Sequence, residues 1–241
     1  MMLRVRNDGP RPGAVNMETD SRLLDDHRAG DDPILRVYRW SPWSVTHGYH
    51  QSPDDFDADT ARSRGWDVVR RPTGGRAILH AVELTYAVVG TSPSELFGTS
   101  LHETYMAINR ALVAFLRDLG LAPDISEGES LEDARGAVCF QTAGKHEITV
   151  GGRKIIGSAQ RRRGDVFLQH GSILAGPAHL DLLDVLPGIE NSEGRRERLA
   201  ADTTDLGREL GRSLHDEDLD AMGDRLVASF AEVFGLETRP F

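Results

Sequence analysis

The feature that most constrains this chain is a pair of glycines. Glu147-Ile148-Thr149-Val150 and Lys154-Ile155-Ile156 flank Gly151-Gly152. A two-residue loop with positive φ at both positions matches the strand twist and forces antiparallel pairing. Val166-Phe167-Leu168 and Gly171-Ser172-Ile173-Leu174 extend that hairpin into a meander. Further β-type runs lie at 34–40, at 44–46, at 67–71 before Pro72, at 77–80 and at 84–89. At Ser100 the period changes. Leu101, Tyr105, Ile108, Leu112, Phe115 and Leu119 recur every three or four residues up to Gly120, which predicts a helix. Other helices are expected from an Asn16 cap to His27, from Pro53 to about Arg64, over 180–186, around 206–210 and over 219–234. No repeat and no linker divides the chain. The expectation is one α/β catalytic domain over 1–241, a mixed and mostly antiparallel sheet flanked by helices, with 1–15 as a flexible N-terminal segment.

Charge removes several function classes. With 28 basic against 38 acidic side chains the chain carries −10, and a nucleic-acid backbone demands the opposite excess. No apolar run approaches the ~20 residues of a membrane helix, and Met1 to Gly13 lacks the apolar stretch of a signal peptide. A cytoplasmic protein with neither a nucleic-acid nor a membrane partner is expected. One cysteine, Cys139, excludes an intrachain disulfide and any multi-cysteine metal site. His47 and His50 have no carboxylate or cysteine at a metal-ligand spacing, so no metal is expected. The acidic runs read as solvated helix starts and loops. The basic residues gather instead at Arg70, Arg71 and Arg76, and at Arg153, Lys154, Arg161, Arg162 and Arg163.

Three segments carry chemistry. In Arg70-Arg71-Pro72-Thr73-Gly74-Gly75-Arg76-Ala77-Ile78-Leu79-His80, the glycines admit a close backbone approach and the arginines offer forked donors to an anion. The same residues equally spell a tight hairpin with surface arginines. In Lys154–Gln160 and 168–174, Gly157, Ser158, Ala159 and Gly171 forfeit packing in mid-strand. Room for a narrow ligand, such as an acyl chain, explains that, and so does a bulge. Cys139 is either a small buried hydrophobe or a nucleophile whose thiolate a cation such as Lys154 stabilises.

Taken together these segments resemble the lipoate/biotin protein ligase superfamily, in its lipoate ligase and octanoyltransferase branch. Asn16-Met17, the stretch from Trp40-Ser41-Pro42 to His50-Gln51, and Glu83-Leu84-Thr85-Tyr86 also fit, so the resemblance runs from Asn16 to near Phe234. Within the branch the chain is similar to the cysteine-dependent octanoyltransferases of the LipM and LipL type. They carry a cysteine in a Val-Cys-Phe-like context upstream of a Gly-Arg-Lys-Ile segment, matched here by Cys139, Phe140 and 153–155. Two departures are Gln141-Thr142-Ala143-Gly144-Lys145-His146 and Ala81, where an acidic residue often follows the histidine.

The resemblance implies that the Cys139 thiolate takes an octanoyl or lipoyl group from acyl-carrier protein and yields it to a lysine. That lysine would belong to a lipoyl domain or a glycine-cleavage H-type protein. Lys154 would stabilise the oxyanion and keep Cys139 ionised. Arg70, Arg71, Thr73, Gly74, Gly75 and His80 would bind substrate together with Gly157, Ser158, Ala159, His170 and Gly171. No cofactor is needed for that chemistry. The alternative is a lipoate-protein ligase using ATP and Mg²⁺, with Lys154 and the arginines on a lipoyl-adenylate; a non-catalytic acyl-binding module is a third reading. Partners of this family are acidic, so Arg161-Arg162-Arg163 is expected to be their dock.

Overall fold

The computed structural model describes residues 1–52, 55–126, 146–186 and 192–241. In chain order the elements are β1 (Leu3–Arg11), α1 (Gly13–Asp26), β2 (Ile34–Trp40), β3 (Ser44–His47), α2 (Ala58–Ser63), β4 (Asp67–Arg70), β5 (Ile78–His80), β6 (Glu83–Thr91) and α3 (Leu101–Asp118). Then follow β7 (Pro123–Ile125), β8 (Ile148–Val150), β9 (Arg153–Arg163), β10 (Val166–Leu174), a 3-10 helix (Pro177–Val185), α4 (Ser192–Asp202), α5 (Leu206–Glu209), α6 (Asp216–Phe234) and β11 (Thr238–Pro240).

Two sheets result. The large one has the order β11-β1-β2-β6-β10-β9-β8-β7 and the small one β4-β3-β5. The pairs β2–β6, β6–β10, β10–β9, β9–β8 and β8–β7 are antiparallel, while β1 runs parallel to both β2 and β11. This is the mixed, mostly antiparallel sheet expected. Gly151 and Gly152, at φ 56° and 75°, make the β8–β9 turn that the sequence demanded.

Strand alternation sorts the side chains onto two faces. Leu35, Val37, Tyr86, Val88, Phe167 and Ile173 pack against Ile108, Leu112 and Phe115 of α3 and Leu226 and Phe230 of α6. The opposite face presents Ile34, Tyr38, Trp40, Ala87, Val89 and Leu168 to Met17, Leu23 and Leu24 of α1. The small sheet, the 3-10 helix and α4 enclose a separate core around Leu79, Leu174 and Leu199. α3 begins where its sequence says. Ser100 Oγ accepts from the Glu103 amide at 3.1 Å and Glu103 Oε2 accepts from the Ser100 amide at 2.9 Å. Donation from the Thr99 amide and hydroxyl, with that from Ser100, holds the Glu103 carboxyl down at about 2.

Several boundaries differ from the sequence reading. Leu3–Arg11 is not a flexible lead-in: it pairs with a strand on each side, and its apolar residues are too few to show as a run. α1 starts at Gly13, whose amide donates to Asp67 Oδ2 at 2.9 Å, so Asn16 lies inside the helix rather than capping it. α2 is capped by Asp57, and Pro53 and Asp54 lie outside the described residues. α4 has a polar composition and no apolar stripe to announce it. No helix among the described residues is long and apolar enough to cross a membrane.

Candidate active site

Between the large sheet and α1 with the small sheet lies a cavity of about 430 Å³ of empty space, part of it open to solvent. Gly157, Ser158 and Ala159 of β9 and His170, Gly171 and Ser172 of β10 form one wall. Tyr38 and Trp40 of β2, Met17 of α1, Ile78, His80, Thr85 and Arg71 complete it. The segments 157–159 and 170–172 meet here because β9 and β10 pair with Ala159 opposite His170 and Ser158 opposite Gly171. The small residues therefore border a cavity, as one of the two sequence readings holds. Gly171 has a second cause. A Cβ there would lie 2.5 Å from the Gly157 carbonyl oxygen and 2.7 Å from the Tyr86 ring, so the pairing itself requires glycine.

Two histidines stand at this cavity, each held at both ring nitrogens. His170 Nδ1 is 2.8 Å from Asp20 Oδ2 and its Nε2 is 2.7 Å from Thr73 Oγ1. An ionised carboxylate only accepts, so Nδ1 donates and the Thr73 hydroxyl donates to Nε2 of the neutral ring. His80 Nδ1 is 2.8 Å from Glu83 Oε1 and its Nε2 is 2.8 Å from Thr46 Oγ1; its ring stacks on Trp40 at 4.0 Å and 13°. Ala81 thus leaves nothing missing, because Glu83 on the next strand supplies the acid to His80. Glu83 Oε1 also accepts from Thr85 and Ser172, at 2.6 and 2.9 Å.

The carboxylates are buried yet ionised. Burial raises Asp20, but bonds from His170 and Arg36 outweigh it and hold the carboxyl below its usual range. Glu83 is likewise held down against burial by the charge and hydrogen bond of His80. Burial lowers His170, His179, His47 and His27. The sign follows: below the ordinary histidine value of about 6.5 the unfolded chain takes up protons that these buried rings refuse. Stability is then complete above about pH 6.5 and lost as pH falls below it, with Asp20 and Glu83 adding to the loss at lower pH. Thermal unfolding should show a flat midpoint above about pH 7 and a decline toward pH 5 that His170→Gln makes shallower. A midpoint constant over that window would contradict this.

Asp20, Arg36 and Tyr38 escape sequence reasoning, and Trp40 and Glu83 enter it only as parts of matching segments, not as site residues. The one signal was Arg36 between Leu35 and Val37, in a strand that also carries Arg39. Its guanidinium, wholly buried, donates to Asp8 Oδ2 and Asp20 Oδ1 at 2.7 Å each and to Asn16 Oδ1 at 2.7 Å, while lying 3.8 Å over the Tyr38 ring.

The segment 71–76 forms a strap beside the cavity. Arg71 is not a free anion receptor: it donates to the Gly74 and Arg76 carbonyls at 2.8 and 2.7 Å and to Thr46, so it staples the strap. Gly75, at φ 92°, and Gly74 belong to this strap rather than to the cavity wall. Gly48 lies so near that a Cβ would come 1.9 Å from the Gly75 oxygen. Arg70 ends β4 on the exposed surface and is not one of the residues that line the cavity. Among the described residues Lys154 does not line the cavity either. It is 1% exposed on β9, three residues before Gly157, with Nζ bonded to Glu147 Oε1. Cys139, Phe140 and 141–145 lie outside the described residues.

The expected arginine dock does not exist as one patch, because alternation along β9 splits it. Arg162 turns toward α3 and donates to Thr104 Oγ1 at 2.7 Å. Arg163 is paired with Asp25. Arg161 donates to the Pro72 carbonyl at 2.9 Å.

Comparison with known proteins agrees with this architecture. The chain is 40% identical to an octanoyltransferase LipM of Symbiobacterium thermophilum over 98% of its length and 88% of that protein's. It is 37% identical to an octanoyltransferase LipM of Moorella thermoacetica, over 98% and 88%. Among solved structures it superimposes on a lipoate-protein ligase A bound with ATP, with a TM-score of 0.80 and 27% identity over 100% of this chain and 89% of that one. A putative lipoate protein ligase from T. acidophilum with bound lipoic acid gives 0.76 and 28%, over 100% and 89%. Residues 12–231 match the lipoyl protein ligase A/B catalytic domain, and the chain belongs to that family.

Proposed function

We propose that this chain is an octanoyltransferase, moving an octanoyl group from the thioester of an acyl-carrier protein to a lysine of a lipoyl domain. The observation that supports this most directly is the cavity, narrow and walled by Gly157, Ala159, Met17, Ile78 and Trp40, in a chain 40% identical to an octanoyltransferase. Apolar walls with a few fixed polar groups suit an acyl chain that carries one reactive carbonyl. In this reading the Cys139 thiolate attacks the thioester carbonyl. The carbon–sulfur bond to the carrier breaks, the carrier thiolate takes a proton, and an acyl-enzyme remains. The acceptor's neutral amine then attacks that carbonyl; the carbon–sulfur bond to Cys139 breaks, the nitrogen gives up one proton to the departing sulfur, and the amide forms.

Lys154 is the cation assigned to the carbonyl oxygen as charge develops there. Glu147, just before β8, accepts a bond from the Lys154 Nζ and limits its freedom. Lys154→Ala should lower transfer by roughly a hundred-fold or more, as loss of one oxyanion donor does. Lys154→Arg should not restore it, since a broad guanidinium replaces a compact ammonium. Wild-type turnover in either variant would remove Lys154 from the mechanism.

The reading itself is tested by incubating the protein with octanoyl-carrier protein and measuring intact mass. An octanoyl adduct on Cys139, discharged by a lipoyl domain without nucleotide, is the expected result. Product formed solely from free acid with ATP and Mg²⁺ would overturn it in favour of the ligase.

A further inference from the structure

Resting on that reading, we propose that Tyr49, Arg70 and Arg161 form the docking point for the acidic carrier protein that delivers the acyl group. The cluster is assembled from three separate elements. Arg70 ends β4, Arg161 lies on β9, and Tyr49 follows β3. The guanidinium carbons of Arg70 and Arg161 lie 5.0 and 4.7 Å from the centre of the Tyr49 ring. That ring is 41% exposed and meets His50 edge-on at 5.1 Å.

Two positive charges on one exposed ring repel each other unless something anionic joins them. Arg153 is paired with Glu209, Arg163 with Asp25, and Arg196 with Asp181 and Asp184. Among the described residues, no carboxylate pairs with Arg70 or Arg161. The chain as a whole carries −10, so these two arginines make a local positive spot on an acidic protein. Tyr and Arg together are also the side chains that dominate binding energy in protein interfaces.

The position relative to the cavity selects the partner. Arg161 follows Ala159 by two residues on the same face of β9, so it stands roughly 7 Å beyond the cavity wall along the strand. The Arg161 guanidinium donates to Pro72 O, and the Tyr49 amide donates to Thr73 O at 2.9 Å. Both thus grip the strap whose Thr73 hydroxyl meets His170. A carrier that feeds an acyl chain into the cavity on a phosphate-linked arm passes this rim with its phosphate and its acidic surface together. Guanidinium forks match phosphate and carboxylate oxygens. An acceptor lysine brings no phosphate, which favours the donor.

The test is fluorescence anisotropy of labelled octanoyl-carrier protein against the wild type and Arg70→Ser/Arg161→Ser. Binding should weaken about ten-fold at low salt, as for removal of interface arginines, and the gap should close as salt rises. Tyr49→Ala should weaken binding less. Turnover of octanoyl-N-acetylcysteamine, a donor without carrier or phosphate, should keep its kcat/KM in all variants. Unchanged carrier binding overturns the proposal, as does no binding by the wild type. An equal loss with the small thioester overturns it too, because the arginines would then act through the strap. Weakened binding of a lipoyl domain in place of the carrier would reassign the surface and overturn it as stated. If the wild type binds the carrier through these residues yet transfers no octanoyl group, the dock stands and the reaction reading fails.

Discussion

Cys139→Ala is expected to reduce octanoyl transfer by roughly 10⁴-fold or more, the scale seen when a covalent nucleophile is deleted. The chain holds one cysteine, so no second thiol can substitute. A thiolate exchanging with a thioester conserves the activated bond, and the downhill step, amide formation, is left for the acceptor amine. Without the sulfur, the acceptor amine must attack the carrier thioester directly, with no acyl-enzyme to divide the step. Circular dichroism and the thermal midpoint should match the wild type, and intact mass should show no adduct. Cys139→Ser should also fall far short, because the serine hydroxyl ionises much less readily than a thiol. Retained turnover in Cys139→Ala with an intact fold would end the acyl-enzyme mechanism and direct attention to ATP-dependent activation.

Arg36→Ala is expected to cost stability on the order of 3–5 kcal/mol, the range for breaking a buried ion pair from one side. Its guanidinium joins Asp8, Asp20 and Asn16 with no solvent access. Removing it leaves Asp20 as a carboxylate without its main counter-charge, while Tyr38 and His170 still depend on that group at 2.8 Å each. The damage therefore passes from the core to the cavity wall. Urea unfolding should show the loss, and Arg36→Met with Asp20→Asn together should recover part of it, since the stranded charge has gone. A loss below about 1 kcal/mol for Arg36→Ala would mean that water or a shifted side chain compensates Asp20.

Much of this architecture was legible because it is local. The Gly151-Gly152 turn, the change of period at Ser100 and the apolar period of α3 each act within a few residues, and all stand where the sequence put them. The motif residues His80, Gly157, Ser158, Ala159, His170 and Gly171 do gather at one cavity. Arg70 and Arg71 illustrate the limit. Adjacent and chemically alike, they were read as a pair of anion receptors, yet one is exposed on a tyrosine and the other is spent on backbone carbonyls. The arginine triplet fails for the same reason: a strand sends neighbours to opposite faces, and what each meets is decided by other strands.

By itself, then, the sequence determined the central strands and the longer apolar helices, the antiparallel hairpin and the motif segments, since turn chemistry and periodicity are written in neighbouring residues. Only the tertiary structure decided which polar groups meet. Asp20 reaches His170 across 150 residues, Thr73 reaches it across 97, and Arg161 reaches Pro72 across 89. Such pairs leave no periodic trace, because a buried charge is tolerated wherever a partner closes on it, and the closing is done by packing that no local segment encodes.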